Sequence, residues 1–270
     1  MCLFVIDGTW SRDFNSTNIG SDSLKRAVGN VPSVRIKKPS FIEEKMGRPT
    51  LVKVDPIRSN ARKFFEESGY PIEQKFYYGG VRFGVTGADI ESLYNQILKD
   101  IEKAIVSGGC SEISIVGWSR GAAIATELAQ ALMLKEFAQI LKRKSFQTRR
   151  GMRHRSIISE EAPMIPTIKF LGLFDSVAMV APLFDPKDGD WGEEVPKEVN
   201  YFVHLVAGDR SGPAPWVDFV ERDPRIKAKT SHVLRYPNAN HSDIGGISST
   251  NKARAAYQDM RFHATNAGVK

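Results

Sequence analysis

The pentapeptide Gly117-Trp118-Ser119-Arg120-Gly121 sets a serine between two glycines. The β-branched run Ile113-Ser114-Ile115-Val116 precedes it and the alanine-rich run Ala122-Ala123-Ile124-Ala125 follows. The first run reads as a short buried strand and the second as a helix. G-x-S-x-G at a strand-to-helix junction is the sequence form of a nucleophile elbow, in which a sharp turn lifts the hydroxyl above a sheet. A serine hydroxyl is a weak nucleophile at neutral pH, so it needs a histidine base oriented by a carboxylate. The chain supplies both in the order serine, acid, histidine: Asp175 and Asp209, then His241. Asp175 directly follows the apolar run Ile168 to Phe174, and Asp209 follows the next apolar run after Gly208. Position alone leaves these two acids level. Oxyanion donors are expected from the N–H of Arg120 and from the turn Asp7-Gly8-Thr9, through Gly8 or Thr9.

The other histidines fit the base role less well. His154 sits among cations, His204 in mid-strand, His232 at the wrong end of a strand and His263 in the last helix. His241 instead lies in the turn-rich stretch Asn238 to Gly246, which can aim an imidazole. Asp243 is too close to His241 along the chain to orient it easily.

These residues need a scaffold that gathers strand ends. Strands are expected over Leu3 to Ile6, Val34 to Ile36, Lys75 to Tyr78, Ile113 to Val116, Ile168 to Phe174, Tyr201 to Ala207 and His232 to Tyr236. Helices are expected over Pro56 to Glu67, Asp89 to Val106, Arg120 to about Lys142, and Asn251 to Phe262. Alternation of this kind implies an α/β fold, a mostly parallel sheet with helices on both faces, of the α/β-hydrolase type. Function then collects at the carboxyl ends of the strands, just beyond which Asp7, Ser119, Asp175, Asp209 and His241 all fall. The 270 residues are expected to form a single domain, with loop or lid excursions near 142–166 and 180–200.

Composition sets outer bounds. Two cysteines, Cys2 and Cys110, promise no disulfide framework and no metal cluster, which points to a reducing compartment by default. The apolar start Met1 to Ile6 is too short for a signal-peptide core. The expected location is therefore cytoplasmic, or outside the cell by a route without a cleaved leader. The net charge of +7 favours anionic partners, and a cluster from Lys142 to Arg155 suggests an anionic membrane surface or a solvated loop. Phe146 is the single aromatic residue interleaved there, which argues against nucleic acid.

Taken together the motifs resemble a known family. Leu3-Phe4-Val5-Ile6-Asp7-Gly8-Thr9-Trp10, Tyr77-Tyr78-Gly79-Gly80-Val81, Gly117 to Ala122, Phe170-Leu171-Gly172-Leu173-Phe174-Asp175-Ser176-Val177 and Asn240-His241-Ser242-Asp243-Ile244-Gly245-Gly246 occur in that order. The chain thereby resembles the DUF2235 α/β-hydrolases, which include the Tle1-type phospholipase effectors of bacterial type VI secretion. The resemblance implies Ser119 as nucleophile, Asp175 rather than Asp209 as acid, and His241 as base, with no cofactor and no metal. It also implies a lipid or other acyl-ester substrate and a secretion or immunity partner. The chain departs from the family pattern at Trp118, usually Phe, and at Ser176, usually Thr, and in its 270 residues the large additional domain of membrane-targeting members is not expected. Two other readings compete. One is a metal-dependent phosphoesterase using Asp7, Asp175, His241 and Asp243; the other is a membrane-binding protein of the same fold without turnover.

Overall fold

The computed structural model describes residues 1–8, 58–81, 90–107, 110–134, 166–180, 191–209, 218–221 and 224–270. In chain order the elements are β1 (Cys2–Ile6), α1 (Asn60–Glu67), β2 (Lys75–Tyr78), α2 (Ile90–Val106), β3 (Glu112–Trp118), α3 (Arg120–Met133), β4 (Thr167–Phe174) and β5 (Val177–Val180). Then follow β6 (Glu194–Val195), β7 (Val199–Asp209), β8 (Asp218–Glu221), β9 (Arg225–Ile226), β10 (Thr230–Asn240), α4 (His241–Gly245) and α5 (Asn251–Asn266).

Six strands form one sheet in the order β10-β7-β4-β3-β1-β2, and every neighbouring pair in it is parallel. The protein has an α/β fold. Side chains alternate between two cores, as a sheet covered on both faces requires. Phe4, Ile6, Ile113, Ile115, Leu171 and Leu173 pack with α2 and α3. Leu3, Val5, Val116, Phe174, Val203 and Leu205 pack with α1 and α5. The α2 stripe Ile90, Leu93, Ile97, Ile101 and Ala104 repeats at helical spacing and is buried throughout.

The strand order has a physical consequence for the site. The chain runs outward from β1 to β2, then returns across β1 to lay down β3 and the rest. The crevice beyond the carboxyl ends of β1 and β3, where that direction reverses, is where open parallel sheets bind ligands. Ser119 stands at that end of β3.

The structure departs from the sequence expectations in several places. Cys2 and Cys110 form a disulfide with Cα atoms 5.4 Å apart. Parallel pairing sets Cys2 opposite Ile113, so two thiols 108 residues apart in sequence meet at the amino ends of neighbouring strands. The expectation of unpaired thiols is corrected by that juxtaposition. Helix α3 stops at Met133, short of Lys142, where Leu134 turns to extended backbone and is left exposed. The excursion near 180–200 is anchored at its far end, where β6 pairs with β9 and the Gly192 N–H donates to Glu127 Oε2 on α3 at 3.4 Å. The basic cluster, the expected strand near Val34, Thr9 and most of the 142–166 excursion lie outside the described residues. No helix among the described residues is long and apolar enough to cross a membrane.

Candidate active site

At the elbow, Ser119 has φ 59° and ψ −128°. Asp175 has φ 43°, and among the described residues these two are the non-glycine residues with positive φ. Each such residue costs on the order of 1–3 kcal/mol and persists only where surrounding contacts hold it. Here the Ser119 N–H donates to Phe174 O at 3.0 Å, and the Asp175 N–H donates to Leu205 O at 2.7 Å. The turns beyond β3 and β4 are thus stitched to the next strand over. Gly121 completes the elbow, because a Cβ there would stand 2.4 Å from Asp7 O and 2.6 Å from Ile6 O. Only glycine lets the first turn of α3 lie against the end of β1.

Ser119 occupies the N-cap position of α3, where a serine normally accepts a hydrogen bond from the first turn. Its side chain makes no such bond. The hydroxyl is instead 2.9 Å from His241 Nε2. On the other side of the ring, His241 Nδ1 is 2.7 Å from Asp175 Oδ2. A carboxylate can only accept, so Nδ1 carries the proton and Nε2 presents a lone pair to the Ser119 O–H. Asp175 Oδ1 accepts the Ala207 N–H at 2.8 Å, which fixes the plane of the carboxylate. Ser119, Asp175 and His241 are all buried.

His241 is aimed by its own short helix. Asn240 caps α4 by accepting the Asp243 N–H at 2.8 Å, and Asp243 Oδ2 accepts the Asn240 N–H at 3.1 Å, a reciprocal capping box. Asp243 Oδ1 also accepts from Ser248 Oγ at 2.6 Å and Thr250 Oγ1 at 2.8 Å. Burial pushes the Asp243 carboxyl upward, but these hydrogen bonds and the charge of Lys252 outweigh it and hold the group below its ordinary value. From across the fold, Asn60 Nδ2 donates to Ile244 O and to Ala253 O, each at 3.0 Å. Asn60 therefore ties α4, which carries His241, and the start of α5 to α1.

The structure separates the two candidate acids. Asp175 meets the imidazole, whereas Asp209 lies exposed at the end of β7, in register with Asn240. A strand end next to the histidine's strand was therefore not enough; the Asp209 alternative is corrected by its outward placement. Of the expected oxyanion donors after β1, Thr9 lies outside the described residues and the N–H of Gly8 already has an acceptor. The Gly8 N–H donates to Asp7 Oδ1 at 2.8 Å. Arg120 opens α3, so its N–H stands in the first turn, at the positive end of the helix.

Asp7 itself is sequestered. Its Oδ2 accepts Ser59 Oγ at 2.7 Å and the Tyr77 hydroxyl, while Ser59 Oγ also accepts the Arg62 N–H at 3.0 Å as the N-cap of α1. Burial holds the Asp7 carboxyl above its ordinary value against the hydrogen bonds from Tyr77, Ser59 and Gly8. His204 is a buried core residue whose Nε2 accepts the Ser176 N–H at 3.1 Å. His232 stacks on Tyr201 at the opposite end of the sheet with His263 tilted against both, and His154 lies outside the described residues.

Sequence reasoning missed Asn60, the Asp7–Ser59–Tyr77 knot and the stack of Trp118 on His241, with ring centroids 5.6 Å apart. The capping box was readable as Asn-x-x-Asp at Asn240 and Asp243. Asn60 left no signal, since its acceptor Ile244 lies 184 residues away.

No protein-family model matches the chain, and no curated protein matches it. Among solved structures it is similar to a crystal structure of an uncharacterized protein from Pseudomonas aeruginosa, at 22% identity and a TM-score of 0.34. That similarity covers 67% of this chain and 28% of the other, so the chain matches little more than a quarter of that protein's length.

Proposed function

We propose that this protein is a serine ester hydrolase acting on lipid or related acyl esters, of the kind the DUF2235 resemblance implies. The observation that carries the reading is the hydrogen-bonded line Asp175–His241–Ser119, with contacts of 2.7 and 2.9 Å. In the acylation step Ser119 Oγ bonds to the ester carbonyl carbon while its proton passes to His241 Nε2. The carbonyl π electrons move to oxygen, where the Arg120 N–H and the positive end of α3 stabilise the charge. Collapse of that intermediate expels the alkoxide, which takes the proton from His241. Water then repeats the sequence on the acyl-enzyme, with His241 as base, and frees the acid. Asp175 keeps the imidazole in the tautomer that accepts at Nε2.

The acyl-ester class also rests on chemistry elsewhere in the chain. A basic protein of net charge +7 is attracted to anionic lipid surfaces. Two of the residues that a metal-dependent phosphoesterase would recruit, Asp7 and Asp243, accept hydrogen bonds from protein groups at both carboxylate oxygens. A panel of p-nitrophenyl esters and phospholipids tests the reading. Wild type should hydrolyse acyl esters and be labelled by a fluorophosphonate probe, and Ser119→Ala should lose both while keeping its thermal midpoint. Labelling that persists in Ser119→Ala would sink the assignment.

A further inference from the structure

The imidazole of His241 is held at its edges by Asp175 and Ser119, and one face is left to Trp118. The indole lies against that face with centroids 5.6 Å apart and planes 28° from parallel. This is within the range at which an aromatic face attracts a cation, and tryptophan binds cations best of the three aromatic side chains.

The indole has no slack. A Cβ at Gly8 would stand 2.5 Å from Trp118 Cε3, and a Cβ at Gly245 would stand 2.1 Å from Trp118 Cε2. Gly8, just after β1, and Gly245, the last residue of α4, thus bound a slot that the indole fills and that a side chain at either position would invade. Trp118 is buried, and among the described residues no acceptor meets its Nε1–H. A buried N–H without a partner is unfavourable, and phenylalanine would fill a slot of this kind without that cost. The indole is therefore poor filler and a good π surface.

We propose that Trp118 is a positioning residue for His241 that also stabilises its imidazolium form across the ring face. The imidazolium exists only after Ser119 has passed its proton to Nε2, so the attraction strengthens between ground state and transition state. An interaction of that kind raises kcat and leaves substrate binding alone. The inference rests on the ester-hydrolase reading and adds a residue to it.

The test is fluorination of the indole, which withdraws π density while nearly conserving shape. The chain has four tryptophans, so 5-fluoro- and more heavily fluorinated tryptophan are incorporated throughout, both in wild type and in Trp118→Phe. Turnover of p-nitrophenyl butyrate and fluorophosphonate labelling are measured for each. In the wild-type background kcat should fall stepwise with each added fluorine, to about a tenth for the most fluorinated ring, with KM unchanged. In Trp118→Phe, kcat should be lower and indifferent to fluorination. A kcat that ignores fluorination, or that falls equally in both backgrounds, overturns the proposal and leaves the triad standing. If unsubstituted wild type neither hydrolyses the ester nor takes the label, the triad reading fails and this proposal fails with it.

Discussion

Asp7 and Asp175 occupy matching places in the fold, each just past the carboxyl end of a central parallel strand and each almost wholly buried. Their surroundings differ. Asp7 faces hydroxyls of Ser59 and Tyr77 and the Gly8 N–H, groups that do not change charge near neutral pH. Asp175 faces the Ala207 N–H and the imidazole of His241, whose other nitrogen meets the Ser119 hydroxyl. Backbone geometry separates them further, since Asp175 is held at φ 43° by the Leu205 carbonyl. One carboxylate joins three segments of chain, and the other meets the imidazole that faces Ser119. Under the proposed function, what separates the two buried strand-end aspartates is the partner that the tertiary fold delivers to each.

The sharpest way to break that distinction is to remove each charge separately. Asp175→Asn should lower kcat about 10⁴-fold in an ester assay, with little loss of thermal midpoint, because the amide favours the wrong imidazole tautomer. Asp209→Asn should leave kcat near wild type; a larger loss there than at Asp175 would reverse the assignment of the acid. Asp7→Ala should act the other way, costing about 3 kcal/mol of stability in urea unfolding by stranding Ser59, Tyr77 and Gly8 as buried donors. If Asp7→Ala is as stable as wild type and inactive, the contrast between the two carboxylates is wrong.

Asn60→Ala gives a milder test of how the base is positioned. It removes two hydrogen bonds at the α4 and α5 backbone, so a drop in kcat of about tenfold with KM retained is expected. The smallest effect is in pH dependence, and its sign separates the two remaining acids. Asp243 is held below its ordinary value, so its stabilising contribution is full above about pH 4 and disappears as pH falls through the folded value. The thermal-midpoint deficit of Asp243→Asn should therefore shrink on acidification. Asp7 is raised, so its contribution weakens as pH rises above about 4 toward the folded value. The deficit of Asp7→Asn should be largest at low pH and narrow as pH rises. Deficits that move in the same direction would show that burial and hydrogen bonding do not divide the two groups as described.

Much of the scaffold was legible locally. The strand Lys75–Tyr78 and the start of the helix at Arg120 were read at their observed bounds, because an aromatic run closed by glycines and an alanine-rich run after a glycine-flanked serine each carry a local preference. The end of α3 at Met133 was not legible, since the amphipathic pattern runs past the point where the chain turns extended. The weak strands β5, β6, β8 and β9 were also missed, as pairs of two to four residues depend on a partner more than on their own composition. Of the site, the serine, the histidine and a choice between two acids were visible. The disulfide was not, although both its cysteines were in plain view.

The sequence by itself determined the residue types and their order: a serine between glycines, acids at strand ends, and a histidine in a loop rich in turn formers. Only the tertiary structure decided which acid meets the imidazole, that Asp7 accepts from Ser59 and Tyr77, that Cys2 reaches Cys110, and that Trp118 stacks on His241. The reason is physical. Periodicity, turns and caps arise from neighbours a few residues apart, and those patterns are written along the chain. Hydrogen bonds and stacks across 66 to 184 residues depend on strand order and register, which no single segment encodes.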